Sequence, residues 1–218
     1  MSTVVLCDFD GTITTFDTCV TILDKFSDGN WEKYDDHLLE GKISLEECMQ
    51  SQFLMVKASK KEILKELQES VIIRNGFKEF VRFCRGEGIP FLIVSGGLDF
   101  LIQYFLESLG LQDYVEVVAA RTRFGDKGME LEFPFMRFGD SLDFKADLVR
   151  YYKENGFKVV YIGDGLSDFE AVIEADHVFV VNGSMLLDRC RDIGIECIEF
   201  TSFIEVKDKL ENVLSEIN

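Results

Sequence analysis

An α/β architecture is what this sequence predicts: a doubly wound parallel sheet, a small helical segment inserted after its first strand, and a β-hairpin. From Gly76 onward, short apolar runs alternate with amphipathic stretches, a spacing that yields parallel strands joined by crossover helices. Between that alternation and the first apolar run, Val4 to Cys7, residues 16–73 read as helical throughout. The chain has 218 residues, 47% of them hydrophobic, enough for one sizeable core with a small satellite.

In chain order, Val4-Val5-Leu6-Cys7 is short, apolar and rich in β-branched residues, so it reads as a buried strand. Asp17 is placed to cap a helix carrying Val20, Ile22, Leu23 and Phe26, and Asn30 a second helix closed by Gly41. Ser44-x-x-Glu47 and Ser59-x-x-Glu62 are capping boxes for two more. A helix follows with Phe77, Phe80, Val81 and Cys84. Next come a strand over 90–94, a helix over 98–109 and a strand over 115–119. Residues 121–124 and 129–133 read as a hairpin through Gly125 to Gly128. A helix over 143–155 and strands over 159–162, 178–181 and 197–200, with helices between them, complete the pattern. The expected division is a core of 1–15 and 74–218 and a helical cap of 16–73.

Composition narrows the function. A net charge of −17 argues against nucleic acid, whose binding rests on neutralising phosphates with Lys and Arg. Any anion site must be positive locally. No stretch reaches the length of a membrane span, and Met1-Ser2-Thr3 leads into the first strand without the basic region of a signal peptide. The six Cys lack any CxxC pair and read as buried free thiols in a reducing cytosol, so a cytoplasmic location is expected. Two His leave little for a histidine-based metal site. Oligomeric state has no signature here.

Ligands in open α/β sheets bind beyond the carboxyl ends of the strands, and four stations fall there. Asp8-Phe9-Asp10-Gly11-Thr12 ends the first strand; two acids spaced by two leave a strand on one side, where like charges raise each other's pKa unless a cation or shared proton relieves them. Ser95-Gly96-Gly97 ends the second and reads either as a helix cap or as an anion nest of backbone N–H groups. Gly163-Asp164-Gly165-Leu166-Ser167-Asp168 ends the strand at Ile162. There Ser167-x-x-Glu170 also reads as a capping box, whereas Asp164 lies outside the helix that box would cap. Lys145 sits in the first turn of its helix, facing the positive end of the dipole, where a bound anion would compensate it.

In this order the four stations resemble the motifs of the haloacid dehalogenase superfamily, over nearly the whole chain. The resemblance implies phosphoryl transfer through an aspartyl-phosphate. It makes Asp8 the nucleophile and Asp10 the general acid and base. Thr12, Ser95, Gly96 and Lys145 become phosphate contacts. Mg²⁺ would be held by Asp8, Asp164 and the backbone carbonyl of Asp10, with Asp168 and Ser167 behind them. A small phosphorylated metabolite is the implied partner. A non-catalytic phosphate-binding protein is the rival class, and it requires a degenerate site.

The helical insert and Val94-Ser95-Gly96-Gly97 resemble the phosphoserine phosphatase-like branch. The segments from Ile73 to Val81, through Ile89-Pro90-Phe91, and Ser95 to Phe100 look like methionine-salvage phosphatases acting on 2-hydroxy-3-keto-5-methylthiopentenyl 1-phosphate. The Cys-rich insert associated with those enzymes before Lys145 is missing. Phosphoserine phosphatases hold the amino-acid head group with a cap Glu and a cap Arg, and Asp17 and Gln52 stand at those positions here. Gln52 cannot make the bidentate, charge-assisted pair that Arg makes with a carboxylate, so a neutral or mixed head group is expected over phosphoserine.

Overall fold

The computed structural model describes residues 2–141 and 143–217. Seven strands form one sheet in the order β4-β3-β2-β1-β5-β6-β7: β1 (Ser2–Cys7), β2 (Phe91–Leu98), β3 (Glu116–Gly125), β4 (Gly128–Glu132), β5 (Phe157–Gly163), β6 (His177–Val181) and β7 (Ile198–Phe200). All neighbours pair in parallel except β3 and β4. The helices are α1 (Thr18–Phe26), α2 (Lys33–Leu39), α3 (Leu45–Phe53), α4 (Lys60–Ser70), α5 (Phe77–Gly86), α6 (Asp99–Leu109), α7 (Phe144–Glu154), α8 (Phe169–Glu174), α9 (Met185–Ile193) and α10 (Phe203–Ile217). This is the doubly wound parallel sheet that the alternation predicts.

Strand β1 shows why the sheet is covered on both faces. Val5 and Cys7 join one hydrophobic cluster with α5, α6 and α10, while Val4 and Leu6 join the other with α7, α8 and α9. On the first face Phe77, Phe80, Phe91, Phe200 and Phe203 pack with ring centroids 5.3–6.0 Å apart. All six thiols are free, five of them buried. Among the described residues no helix is long and apolar enough to cross a membrane.

The inserted helices α1–α4 lie between β1 and α5 in the chain. Both Ser capping boxes form, and Asp17 caps α1 by accepting from the Val20 amide (3.0 Å). The connections into and out of the insert meet: Thr14 bridges Ile73 antiparallel, and the Arg74 amide donates to the Ile13 carbonyl (2.7 Å). The hairpin β3–β4 packs on α3, where the Leu131 amide donates to Gln50 Oε1 (2.8 Å).

Several local expectations are corrected. The strand over 115–119 and the hairpin arm over 121–124 are one strand, β3. Its first half pairs with β2 and its second half, running past the end of β2, pairs with β4. Strand β2 does not stop at Val94; it continues through an irregularity between Ser95 and Leu98, because Leu98 pairs with Ala120. Asn30 caps α2 only from a distance. It is not the residue next to the helix, which is Glu32 and makes no side-chain cap, but across a turn over Trp31 and Glu32 its Oδ1 accepts from the amide of Lys33, the first residue of α2 (3.3 Å). Beyond the strand expected over 197–200 the structure adds α10, carrying buried Phe203, Val206 and Leu210 at helical spacing against α5.

Candidate active site

The carboxyl ends of β1, β2 and β5 open into a cleft of about 900 Å³, roofed by residues of α1, α2 and α3. Asp8 follows β1 directly, and its amide donates to the Ile162 carbonyl (2.9 Å), tying β1 to β5. The Asp8 side chain is 7% exposed. Lys145 Nζ lies 2.8 Å from Asp8 Oδ1, 2.6 Å from Asp168 Oδ1 and 3.4 Å from Ser167 Oγ. The cation that its own helix dipole opposes is thus held by two carboxylates. Burial alone would pull the Lys145 pKa down, but the charges of Asp168 and Asp8 raise it above the ordinary range.

Asp168 is fully buried and fully partnered. Its Oδ1 also accepts from the Tyr161 hydroxyl (2.7 Å), and its Oδ2 from the amides of Asp164 (3.1 Å) and Gly165 (3.0 Å). This inward turn excludes the Ser167-x-x-Glu170 capping box: residues 166–168 form a 3-10 turn, and α8 starts at Phe169 without a side-chain cap. Asp164 accepts from the Thr12 hydroxyl (2.7 Å). Thr12 is therefore not aimed at the cleft; its side chain is buried and donates to Asp164. Oxygens of Asp8, Asp164 and Asp168 lie within 4.8 Å of one another.

Asp10 faces a different way. Its Oδ1 accepts from the Thr18 amide (2.9 Å) and the Thr18 hydroxyl, and with Asp17 and Cys19 it forms a second close group of possible ligand atoms. The expectation that Asp8 and Asp10 raise each other's pKa needs correcting. Burial comes first in both cases. The further upward push comes from Asp168 and Asp164 for Asp8, which lies well above the usual carboxylate range. It comes from Asp17 for Asp10, which is raised to about 7. Burial likewise takes Asp164 to about 6, against the opposing hydrogen bond from Thr12.

Glycines make room for these acids. A Cβ on Gly11 would stand 2.3 Å from Asp164 Oδ2, on Gly97 2.4 Å from Asp10 Oδ2, and on Gly163 2.6 Å from Asp168 Oδ2. Gly11 also holds a φ of +76°, which side chains rarely adopt. Ser95 does not cap α6, which starts behind Leu98 without a side-chain cap; Ser95 Oγ accepts from the Gly97 amide (3.0 Å) at the cleft floor beside Gly96.

Asp17 stands exposed at the cleft, while Gln52 lines it almost completely buried, with Nε2 donating to Asp35 Oδ1 (2.8 Å). Sequence reasoning missed Asp35, Thr18, Tyr161 and Arg74. Arg74 lines the cleft and donates to the carbonyls of Thr12 (2.7 Å) and Gly11 (2.6 Å).

Residues 5–172 match the family model of the haloacid dehalogenase-like hydrolases, a span that holds every acid described above and Lys145. The chain is 33% identical over 216 residues to a 2-hydroxy-3-keto-5-methylthiopentenyl-1-phosphate phosphatase of Geobacillus kaustophilus, covering 96% of each. It is 31% identical over 214 residues to the Bacillus velezensis protein of the same name, covering 96% of this chain and 90% of that one. Among solved structures, a substrate-bound phosphoserine phosphatase superposes with a TM-score of 0.69 at 20% identity, covering 96% of this chain and 98% of that one, which shows the shared fold. On the family match and these near full-length likenesses, the chain belongs to the haloacid dehalogenase-like hydrolases.

Proposed function

We propose that this chain is a Mg²⁺-dependent phosphatase of a small phosphomonoester, working through a phosphoaspartate on Asp8. The observation that carries the reading is the convergence of Lys145, Asp8 and Asp164 in one pocket, with a carboxyl at Asp10 raised to about 7.

Asp8 is the nucleophile: its oxygen forms a bond to phosphorus as the ester P–O bond breaks. Lys145 holds Asp8 in place and supplies the positive charge that the phosphoryl oxygens need in a chain of net charge −17. Ser95 and Gly96 lie on the floor where those oxygens would rest. Asp10, with a pKa near working pH, gives its proton to the departing alkoxide. It then takes a proton from the water that attacks phosphorus, which breaks the Asp8–phosphorus bond and releases phosphate. Thr18 fixes its orientation through two hydrogen bonds.

The donor set suits Mg²⁺. Asp8 and Asp164 each retain an oxygen beyond the bonds described, and carboxylate and carbonyl oxygens match a hard divalent cation. Asp8, Asp164 and the Asp10 carbonyl would hold it, and it would supply charge neutralisation at the phosphoryl group. Asp168 takes no ligand role in this reading, since its oxygens are occupied by Lys145, Tyr161 and two amides. Residues 16–73 act as the cap, with 1–15 and 74–218 as the core.

The names of the relatives and the neutral Gln52 support 2-hydroxy-3-keto-5-methylthiopentenyl 1-phosphate as the substrate. Phosphoserine is the second reading, favoured by the shared fold alone. Phosphate release from a generic aryl phosphate, with and without Mg²⁺, for wild type and Asp8→Asn tests the mechanism; release indifferent to both changes overturns it. A screen of phosphorylated metabolites then ranks the substrates.

A further inference from the structure

The cleft has two chemically distinct ends. At the sheet, Lys145 and the amides beside Ser95 provide donors. Under the inserted helices, the polar wall is made of Asp17, Asp35 and Gln52, with Trp31, Leu45 and Met49 around it. Asp35 comes from α2, a helix with no buried residue, and it is half-buried only because it reaches Gln52 and Cys48 of α3. A carboxylate can only accept, so the Gln52 amide must turn its Nε2 towards Asp35, which leaves Oε1 and the second N–H outside that bond. Asp17 and Asp35 therefore present acceptors alone, and Gln52 adds an amide rather than a positive charge.

No Lys or Arg among the described residues that line the cleft bonds to that wall. Among the described residues lining the cleft, the Lys and Arg side chains are Lys145 and Arg74. Lys145 is bound to Asp8 and Asp168, and Arg74 to the main-chain carbonyls of Gly11 and Thr12. A substrate carboxylate placed here would meet two like charges and no cation to pair with, with part of its hydration removed. A hydroxyl or ammonium group would find two carboxylates able to accept from it.

We propose that Asp35, together with Asp17 and the Gln52 it orients, is a specificity determinant that admits donor-bearing head groups and rejects phosphomonoesters carrying a carboxylate. This deepens the phosphatase reading and rests on it for the location of the phosphoryl end.

The test uses two matched pairs in wild type, Asp35→Asn and Asp35→Ala. The esters are O-phosphoserine and O-phosphoethanolamine, which differ by one carboxylate. The non-hydrolysable phosphonates 2-amino-4-phosphonobutyrate and 3-aminopropylphosphonate differ in the same way, and their affinities are read by calorimetry. Wild type should favour the carboxylate-free member of each pair by roughly tenfold or more, the effect of a nearby like charge at intermediate dielectric. Asp35→Asn keeps an acceptor for Gln52 and removes the charge, so it should reduce the preference by about tenfold. The proposal fails if wild type shows no preference, if Asp35→Asn leaves it unchanged while Asp35→Ala alone alters it, or if none of the three proteins binds either phosphonate. Discrimination between phosphonates without turnover of any ester would instead sink the phosphatase reading and leave the determinant standing.

Discussion

Lys145 Nζ stands 2.8 Å from Asp8 Oδ1, and both side chains are almost wholly withdrawn from solvent. The pair joins the first turn of α7 to the end of β1, and Asp168 closes it from the far side at 2.6 Å. A buried charge of this kind is costly to leave alone. Replacing Lys145 by Met leaves two carboxylates facing one another, and folding stability should fall by about 3–5 kcal/mol at neutral pH in chelator. Denaturant unfolding measures this directly. The deficit should shrink as the pH is lowered and Asp8 takes up a proton. Turnover should fall at least roughly a hundredfold through loss of positive charge at the phosphoryl site.

The raised carboxyls also set the pH dependence of the metal-free protein. Asp10 at about 7 and Asp164 at about 6 exceed their unfolded values near ~3.9, and Asp8 is shifted the same way. Between those limits the folded state binds more protons than the unfolded state, so stability is greatest at the acid end and declines as the pH rises through 4 to 7. Lys145 adds no slope there, because its pKa is raised above an ordinary value of ~10.4. Melting temperature in chelator should fall between pH 5 and pH 7.5. Added Mg²⁺ should recover it most at pH 7.5, where the carboxylates are charged. A melting temperature that climbs across this range without metal contradicts the assignment of these pKa shifts.

Asp10→Asn separates leaving-group protonation from nucleophilic attack. Asn keeps an acceptor for the Thr18 amide and removes the transferable proton. With an aryl phosphate, whose leaving group needs little protonation, the phosphorylation step should slow by less than about tenfold. With an alkyl phosphate it should slow by roughly 10²–10⁴. The subsequent hydrolysis loses its base in both cases, so phosphoenzyme should accumulate on the aryl ester. Rapid-quench detection of protein-bound phosphate checks this; equal slowing of phosphorylation on both esters would remove Asp10 from the acid role.

Much of this site was legible because its parts lie where local pattern is strong. The acids at 8 and 164 follow short apolar strands, and Lys145 was marked by opposing its own helix dipole. Topology then brings these chain-distant positions to one sheet edge. What could not be read depends on contacts between elements. Asp35 sits in an exposed helix beside Asp36, and nothing in the local sequence distinguishes the two; only the packing of α2 on α3 brings Asp35 to Gln52. Tyr161 reads as one more buried strand residue until its hydroxyl is seen on Asp168. Residues 8 and 10 share a strand side, yet the turn after β1 directs them to separate partners, Lys145 and Thr18. The unity of β3 was hidden because its two halves serve different partners.

Gly128 tests how the hairpin supports the inserted helices. It begins β4 with a φ of +123°, and a Cβ there would stand 2.0 Å from the Leu54 carbonyl oxygen at the end of α3. That backbone contact cannot be relieved by a side-chain rotation. It is reinforced by Gln50 on the Leu131 amide and by Lys57, whose Nζ donates to the carbonyls of Leu54 (3.1 Å) and Lys127 (2.5 Å). Helix α3 carries Met49 and Gln52 into the cleft, so displacing the hairpin should shift both. Gly128→Ala should therefore lower stability by roughly 1–3 kcal/mol, combining left-handed backbone strain with the clash. It should also raise KM for a substrate whose head group reaches α3, while leaving kcat/KM for a small aryl phosphate within about threefold. Thermal denaturation and paired steady-state kinetics measure the two effects, and a KM change of equal size on both esters would place the damage at the sheet edge rather than under α3.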